Sequence, residues 1–393
     1  MATEPVRVAI LGSTGSVGTQ AIDVIRAYPE KFQLVGLCAG HRFEPLASQV
    51  NELKPSLVAI ADSGEYKNLR SAIDAPSVRV EAGPEGIRAV ASMPDADVVL
   101  AAIVGQAGLD GVLAAVRAGK RLALANKESL VMAGGLVNSE AGRSGARIVP
   151  VDSEHASLAQ LLESLGKNPL RRVILTASGG PFRQHTAEQL ENVRPRDALD
   201  HPNWDMGAKV TIDSATMMNK GFEVIEACWL FDMRPEKVHV MIHPESIVHA
   251  MVEMADGSFM AHLAPHDMRL PIGWALGYPE RLDLAKRLDF FEGLFSGHGR
   301  TLTFQNADAT RWPALDMCRQ AMKIGGGTPA ALAVADEVLV KAFLRGEISF
   351  SSITRILAMV LEKLPALEDH NLEEILEAGE EGRRLATEIV RRT

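Results

Sequence analysis

The chain has 393 residues, of which 47% are hydrophobic and 23% charged, and its formal net charge at pH 7 is −9. This length predicts two or three domains, and the composition is that of a globular protein with enough apolar residues for sizeable cores. The negative charge argues against a nucleic-acid-binding protein, whose affinity depends on clustered lysine and arginine. No apolar run approaches the roughly 20 residues that a membrane span needs.

The three cysteines, Cys38, Cys228 and Cys318, are far apart in the sequence. Their number and spacing predict neither a disulfide framework nor a zinc site, and they fit a reducing cytosol. Residues 1–7 lack the apolar core of a signal peptide. We therefore expect a cytoplasmic protein without an export or transit segment.

A short apolar strand, a glycine-rich turn and a helix follow one another at the start of the chain. Val6 to Leu11 form the apolar run, and Gly12 to Gly18 carry glycines with the spacing Gly-x-x-Gly-x-x-Gly. In this context glycines let the backbone approach a pyrophosphate, whose charge the helix N-terminus attracts. The turn predicts a dinucleotide site, with a plain strand-to-helix turn as the alternative.

The end of the second strand, Phe32 to Cys38, indicates which dinucleotide would bind. NAD-selective sites usually place an acidic residue there for the ribose hydroxyls, whereas this chain has His41 and Arg42. Their positive charge favours NADP(H), unless Arg42 is simply a solvated loop residue.

Apolar strands continue to alternate with helical stretches through residue 151, which predicts a doubly wound parallel sheet. These strands are Leu57–Ile60, Val98–Ala102, Leu122–Ala125 and Arg147–Val151. Polar residues at the carboxyl ends of such strands face the ligand crevice. Lys127, just after one strand end, would carry positive charge to a substrate or cofactor there, or lie on the surface of a helix.

Two carboxylates, Asp152 and Glu154, follow the strand that runs to Val151. At a strand end their i, i+2 spacing would place both on one face, where a divalent cation with oxygen ligands such as Mg²⁺ or Mn²⁺ relieves their repulsion. The alternative is a helix over 156–165 that Asp152 caps, with Glu154 in its first turn. This stretch alone does not decide between the two.

The middle of the chain carries candidate phosphate ligands. Ser178 precedes two glycines and can form an anion-binding nest or a plain turn. Ser214, Asn219 and Lys220 offer a compact set of donors, and Glu223 lies one helical turn after Asn219. Residues 200–207, which lie between Ser178 and Ser214, form a polar segment that contains a Trp and is broken by Pro and Gly. This pattern fits either a mobile lid or a loop anchored by one buried side chain.

We expect an α/β fold in three parts. Residues 1–151 would form a Rossmann-type NADPH-binding domain, and residues 152–279 an α+β catalytic and connective domain with a mostly antiparallel sheet. Residues 280–311 would form a linker, and residues 312–393 a C-terminal helical bundle. Within that bundle, Gly325 to Gly327 would be a turn between helices, not a phosphate loop.

In order along the chain, these motifs closely resemble those of the 1-deoxy-D-xylulose 5-phosphate reductoisomerase family. The motifs are Gly12–Gly18, Asn126-Lys127-Glu128, Asp152-Ser153-Glu154, Ser178-Gly179-Gly180, His201-Pro202-Asn203-Trp204 and Asn219-Lys220-Gly221-Phe222-Glu223. The resemblance covers essentially the whole chain. It implies an NADPH-dependent isomerisation and reduction of that sugar phosphate to 2-C-methyl-D-erythritol 4-phosphate, in the non-mevalonate route to isoprenoids. It also implies a homodimer.

The resemblance further implies a role for each matching residue. Three acids would hold the metal: Asp152, Glu154 and Glu223. Substrate contacts would come from Lys127, Ser153, Ser178, His201, Trp204, Ser214, Asn219 and Lys220. The cofactor would be faced by Thr14, Gly15, Ser16, Val17, Gly40, His41, Arg42, Asn126, Glu128 and Gly207. The catalytic set would be Lys127 with the three acids.

Two segments depart from the family pattern. Relatives often carry Lys-Asn where this chain has His41-Arg42, and an Asn-rich version of the segment from Ala333 to Glu337, whose role we expect to be structural. Two other functions stay open on the sequence: an NADP-linked, metal-assisted dehydrogenase of another sugar phosphate, and a nucleotide-sensing regulatory protein on a Rossmann frame.

Overall fold

The computed structural model describes residues 4–166, 168–199, 207–284, 301–308 and 310–392. The chain divides into two compact units. The first unit consists of Met1–Ser129, Val137–Ala156 and Met268–Ala285, and the second of Leu130–Leu136, Ser157–Asp267 and Lys286–Thr393. None of the helices in these described ranges combines the length and the hydropathy that crossing a membrane requires.

In chain order the strands are β1 (Val6–Leu11), β2 (Phe32–Ala39), β3 (Leu57–Ile60), β4 (Arg79–Ala82), β5 (Val98–Ala101), β6 (Arg121–Leu124), β7 (Arg147–Pro150), β8 (Leu170–Ala177), β9 (Val238–Ile242), β10 (Val248–Met254), β11 (Phe259–Leu263) and β12 (Gln305–Asn306). The helices are α1 (Ser16–Ala27), α2 (Phe43–Leu53), α3 (Tyr66–Ala72), α4 (Gly83–Ser92), α5 (Leu109–Arg117), α6 (Lys127–Ser144), α7 (Ser153–Leu165), α8 (Ala187–Glu191), α9 (Pro195–Ala198), α10 (Ala208–Thr216), α11 (Met218–Phe231), α12 (Arg269–Gly277), α13 (Pro313–Ile324), α14 (Thr328–Leu344), α15 (Phe350–Lys363) and α16 (Leu372–Val390).

The first unit contains a parallel sheet with strand order β4-β3-β2-β1-β5-β6-β7. The order reverses at β1, so the loops after β1 and β5 open the crevice where doubly wound sheets bind ligands. The central strands are almost wholly apolar, as expected of strands covered on both faces by helices. This sheet confirms the predicted Rossmann-type fold. The sequence interpretation lacked only β4, a four-residue edge strand that is not fully buried.

Helix α12 belongs to the first unit, although it follows the strands of the second unit in the sequence. The Arg121 guanidinium donates to the carbonyl oxygens of Tyr278 and Leu276 at 2.5 and 3.1 Å. Lys31 and Glu280 form an ion pair at 2.7 Å. These contacts connect the segment around α12 to the first residue of β6 and to the residue before β2.

The second unit contains a mixed sheet with strand order β11-β10-β8-β9-β12. Only β8 and β9 pair in parallel, so the predicted mostly antiparallel sheet is confirmed. The Asp256-Gly257 turn connects β10 to β11, and Gly257 adopts a φ of +87° there. One face of the sheet packs on α7 and α11 through a continuous apolar cluster that includes Leu158, Val173 and Val224.

The described C-terminal part is mainly helical, with α13 to α16 in the range 312–393 for which the sequence predicted helices. Asn371 caps α16, its side chain accepting the Glu374 N–H at 3.0 Å. The segment Gly325 to Gly327 is a turn between α13 and α14, as predicted, and the Gly327 N–H donates to the Leu367 carbonyl at 3.1 Å. This turn is packed against its own chain, because a Cβ on Gly326 would lie 2.0 Å from the Leu367 carbonyl oxygen.

Replacing Gly382 with alanine is expected to lower the thermal midpoint by roughly 5 °C. Helix α16 crosses α14 at this position, and a Cβ on Gly382 would lie 2.1 Å from the Ala331 carbonyl oxygen. Gly142→Ala on α6 is the matched control because nothing lies within 4 Å of its Cβ position. It should raise stability slightly, as alanine does in an open helix. Thermal denaturation of the two variants separates these outcomes, and an unchanged midpoint for Gly382→Ala would contradict the close crossing.

Candidate active site

The turn after β1 brings the backbone close to its neighbours. Gly12 has a φ of +90°, and a Cβ there would lie 2.7 Å from the Ala102 carbonyl oxygen at the end of β5. Gly18 is equally constrained, since its Cβ would lie 2.3 Å from the Gly12 carbonyl oxygen. Gly15 is the N-cap of α1, and no side chain caps this helix. Free N–H groups at a helix start are what a pyrophosphate requires.

The end of β2 lies beside this turn because β1 and β2 are parallel neighbours. The Arg42 guanidinium donates to the Thr14 carbonyl, and Gln49 Nε2 donates to the Ser13 carbonyl at 3.0 Å. Gly40, His41 and Arg42 are exposed. The structure therefore brings together the glycine-rich turn and the positive residues that favour a 2′-phosphate.

Asn126 joins the ends of β5 and β6. Its amide donates to the carbonyls of Ile103 and Gly105 at 2.6 and 3.1 Å, and to Glu128 at 3.1 Å. Its oxygen caps α6 by accepting the Ser129 N–H at 3.0 Å. Both Asn126 and Glu128 are buried. They hold the loops at the carboxyl edge of the sheet in place.

Of the two local structures left open for the acidic motif, the helix start is the one that forms. Strand β7 ends at Pro150, and α7 begins at Ser153 with Glu154 in its first turn. The alternative in which Asp152 and Glu154 end a strand is therefore not the one observed. The Val151 N–H still donates to the Leu124 carbonyl at 2.8 Å, and the Asp152 carbonyl then accepts the Ala156 N–H at 2.8 Å as the helix begins. Even so, a carboxylate oxygen of Asp152 and one of Glu154 lie within 4.8 Å of each other.

Asp152 is surrounded by polar partners of the first unit. The Lys127 ammonium forms an ion pair with its Oδ2, and His155 Nδ1 lies 3.9 Å from its Oδ1. Beside it, the Ser153 hydroxyl donates to the Glu154 carboxylate. Burial alone would raise the pKa of Asp152, but the charge of Lys127 and the contact with His155 hold this pKa well below its usual value. Asp152 is therefore a carboxylate at neutral pH.

The predicted phosphate ligands Ser178 and Ser214 lie on adjoining segments of the second unit. The loop after β8 contains Gly179 and Gly180 with φ of +82° and +70°, and the Gly180 N–H donates to Ser178 Oγ at 3.1 Å. A Cβ on Gly180 would lie 2.9 Å from the Ser214 carbonyl oxygen. The glycine is required because α10 lies directly against this loop.

Helix α11 carries the other predicted ligands on one face. Glu223 is 1% exposed and accepts from Lys220 Nζ at 2.5 Å and from Asn219 Nδ2 at 2.6 Å. Lys220 is itself 4% exposed. The i, i+3 and i, i+4 spacings of the sequence thus become direct contacts in the helix. His201 and Trp204 lie outside the described residues, whereas Gly207 is exposed immediately before α10.

A buried ion cluster in the second unit was not predicted from the sequence. Lys209 on α10 contacts Asp213 at 2.5 Å and Asp336 on α14 at 2.9 Å. Two signals were available: the i, i+4 spacing of Lys209 and Asp213, and the charge of Asp336 in a largely apolar helix. Their proximity could not be seen in the sequence, because Asp213 and Asp336 are 123 positions apart.

Comparison with known proteins gives the family. Residues 8–134 match the family model for 1-deoxy-D-xylulose 5-phosphate reductoisomerase, residues 148–231 match its C-terminal domain model, and residues 263–385 match a second model described as the DXP reductoisomerase C-terminal domain. The curated reductoisomerase of Anaeromyxobacter dehalogenans is 46% identical over 384 residues, covering 98% of this chain and 97% of that protein. The one from Exiguobacterium sibiricum is 48% identical over 375 residues, covering 95% and 96%.

Solved structures of reductoisomerases support the same family assignment. The Zymomonas mobilis reductoisomerase in complex with NADPH has a TM-score of 0.90 and 38% identity, covering 99% of both chains. A DOX-P reductoisomerase in complex with NADPH, fosmidomycin and magnesium also has a TM-score of 0.90 and 38% identity, with 98% of both chains covered. The order of motifs, the fold and these matches agree over the whole length, and the chain belongs to the 1-deoxy-D-xylulose 5-phosphate reductoisomerase family.

Proposed function

We propose that this protein catalyses the NADPH-dependent isomerisation and reduction of 1-deoxy-D-xylulose 5-phosphate to 2-C-methyl-D-erythritol 4-phosphate in the non-mevalonate route to isoprenoids. The observation that carries the proposal is the similarity to reductoisomerases over the full length of both chains. The alternative dehydrogenase and the nucleotide sensor would not require this match. The dinucleotide turn of the first unit and the buried Lys220–Glu223 pair of the second supply the chemistry that the reaction needs.

Asp152, Glu154 and Glu223 would hold a divalent metal, Mg²⁺ or Mn²⁺. The donor set fits such an ion because all three side chains offer carboxylate oxygens, and Lys127 keeps Asp152 ionised. When bound, the ion supplies Lewis acidity for the oxygen charge that develops as the carbon skeleton rearranges. Lys127, whose ammonium contacts the Asp152 carboxylate, and Ser153, whose hydroxyl contacts Glu154, would orient the substrate hydroxyls.

The substrate phosphate would bind to Ser178, Ser214, Asn219 and Lys220. The Lys220 ammonium, which bonds to Glu223, brings to this site a positive charge and N–H donors of the kind that phosphate oxygens accept. Phosphate binding away from the reacting carbons supplies binding energy that orients them. His201 and Trp204 would close over the bound substrate and exclude water.

NADPH would bind along Thr14 to Val17, with Gly40, His41 and Arg42 toward the 2′-phosphate and Asn126, Glu128 and Gly207 toward the nicotinamide half. The cofactor supplies the hydride that reduces the rearranged aldehyde. Asn126 and Glu128 would act by fixing the loops around the ring, because their side chains bond mainly to the protein itself.

Replacing Arg42 with methionine is expected to weaken NADPH binding about tenfold and to leave NADH binding unchanged within about twofold. Only NADPH carries the 2′-phosphate that the guanidinium would contact. Fluorescence titration with both nucleotides measures the difference. Arg70→Met, on the surface of α3, is the control, and equal losses for NADPH and NADH would contradict the role of Arg42.

The direct test of the function is turnover with purified protein. NADPH absorbance should fall when 1-deoxy-D-xylulose 5-phosphate is added, stop when a chelator removes divalent ions, and resume when Mg²⁺ or Mn²⁺ is restored. Oxidation of NADPH with a different sugar phosphate but not with this one would favour the alternative dehydrogenase. NADPH binding without any turnover would favour the sensor.

We also infer that the protein is a cytoplasmic homodimer. Strand β11 is the edge of its sheet and exposes Phe259, Met260 and Leu263 by 57%, 40% and 38%. An apolar edge strand of this kind is normally covered by a partner. The three cysteines are free and buried, as in a reducing compartment. Met260→Lys should shift the sedimentation of the protein from dimer to monomer, and an already monomeric wild type would refute the dimer.

A further inference from the structure

The Lys209–Asp213–Asp336 cluster is an unusual arrangement for a protein interior. One ammonium faces two carboxylates, and the side chains of Asp213 and Asp336 are 2% and 0% exposed. Removing water from three charges costs several kcal/mol per ion unless the geometry compensates. Among the described residues of the cluster, the two carboxylates outnumber the one ammonium. The Cys318 thiol nearby shows the effect, because its pKa is raised well above the usual value, first by burial and then by the charges of Asp336 and Asp213.

Helix stability does not explain the position of Lys209. It lies in the first turn of α10, where the helix dipole disfavours a positive charge. Its ammonium instead connects three helices: it bonds to Asp213 on α10 and Asp336 on α14, and it lies 4.9 Å from the centre of the Phe222 ring on α11.

Two of the three contacts of this ammonium are adjacent in sequence to a residue of the phosphate and metal set. Asp213 immediately precedes Ser214, and Phe222 immediately precedes Glu223. Between α10 and α11 the chain turns at Met217, which is 2% exposed and has a φ of +64°. A left-handed conformation costs a methionine about 1 kcal/mol or more, so the surrounding packing must hold this corner. The Asp336 carboxylate on α14 is the second acidic group that Lys209 contacts.

We propose that Asp336 is a positioning residue, which anchors Lys209 and thereby holds α10 and the Met217 corner where Ser214, Asn219 and Lys220 bind the substrate phosphate. This inference rests on the proposed function of that site. It assigns a role in catalysis to a side chain of the helical bundle that touches neither substrate nor cofactor. What the site requires from position 336 is an oxygen acceptor for Lys209, since Asp213 already neutralises the ammonium.

The test compares Asp336→Ala with Asp336→Asn. Asp336→Ala is expected to raise the KM for 1-deoxy-D-xylulose 5-phosphate about tenfold, with kcat and the KM for NADPH within about threefold of wild type. Asp336→Asn should restore the substrate KM to within about threefold, because its amide oxygen can still accept from Lys209. Inorganic phosphate serves as a second probe, and its inhibition constant should rise in parallel with the substrate KM. Glu337→Ala is the control, because Glu337 pairs with Lys341 at the surface and should change neither constant.

Three outcomes would overturn the proposal: an unchanged substrate KM in Asp336→Ala, equal rises in KM for substrate and NADPH, or an Asp336→Asn variant as impaired as the alanine variant. If Asp336→Ala does not fold, Asp336→Leu, which has the same branching at Cγ without an oxygen acceptor, carries the same expectation. If the wild type does not turn over the sugar phosphate, the proposed function fails. Calorimetric titration of the same variants with inorganic phosphate still tests the positioning role in that case.

Discussion

Glu223→Gln is expected to lower kcat about 1000-fold while NADPH affinity stays within about twofold of wild type. The two side chains have the same shape, and glutamine can still accept a hydrogen bond from Lys220 or Asn219, as Glu223 does. The change removes one negative charge from the set that would hold the metal. Divalent ions should therefore bind more weakly, and the concentration of Mg²⁺ or Mn²⁺ needed for half-maximal turnover should rise.

Glu253→Gln provides the control for a lost buried carboxylate. The side chain of Glu253 is 4% exposed and contacts Arg171 and Arg172 on β8, outside the proposed site. Its loss should reduce stability but leave kcat and the metal requirement unchanged. Steady-state kinetics over a range of metal concentrations compare the two variants. Full activity of Glu223→Gln would rule out Glu223 as a metal ligand, and an equal loss of activity in both variants would show that the effect comes from the fold.

The sequence predicted the features of this protein that depend on local pattern. The glycine-rich turn, the alternation of strands and helices and the four C-terminal helices all follow from residue spacing within windows of about 20 residues. Strand β4 was missed because a half-exposed edge strand of four residues produces almost no hydrophobic signal. The position of α12 in the first unit could not be predicted from local pattern either, because Arg121 and its partner Tyr278 are 157 residues apart.

The acidic motif lies where a strand passes directly into a helix. The apolar run continues to Val151, so hydrophobicity alone extends the strand to Asp152. The Val151 N–H still donates to the Leu124 carbonyl at 2.8 Å, and the next residue already belongs to the helix start, because the Asp152 carbonyl accepts the Ala156 N–H at 2.8 Å. The pairing of Lys127 with Asp152 could not be read from the sequence, since the two residues follow different strands. Their proximity results from the parallel pairing of β6 and β7, which places both strand ends at the same edge of the sheet.

Lys127→Met is expected to reduce kcat/KM at least 1000-fold at neutral pH and to move the acid limb of the pH profile to higher pH. In the wild type, the positive charge of Lys127 opposes burial and keeps the pKa of Asp152 well below its ordinary value. Without the ammonium, burial dominates, the pKa of Asp152 rises, and a protonated acid is a poor metal ligand.

The same pair predicts a pH dependence of stability. A carboxyl group whose pKa is depressed in the folded state adds stability above its unfolded pKa of about 4, and this contribution disappears as the pH falls through the folded value. The wild type should therefore gain stability over Lys127→Met as the pH rises from about 3 to 6, and denaturant unfolding at several pH values measures the gap. Lys127→Arg retains the charge and should retain most of the pH profile and most of the wild-type stability at about pH 6.

Lys120→Met controls for loss of a lysine elsewhere in the first unit, because Lys120 bonds to the carbonyls of Pro94 and Ala96 at 3.1 and 2.7 Å. A Lys127→Met enzyme with the wild-type acid limb would mean that the ammonium does not govern the ionisation of Asp152, and the metal site would then need another source of its charge balance.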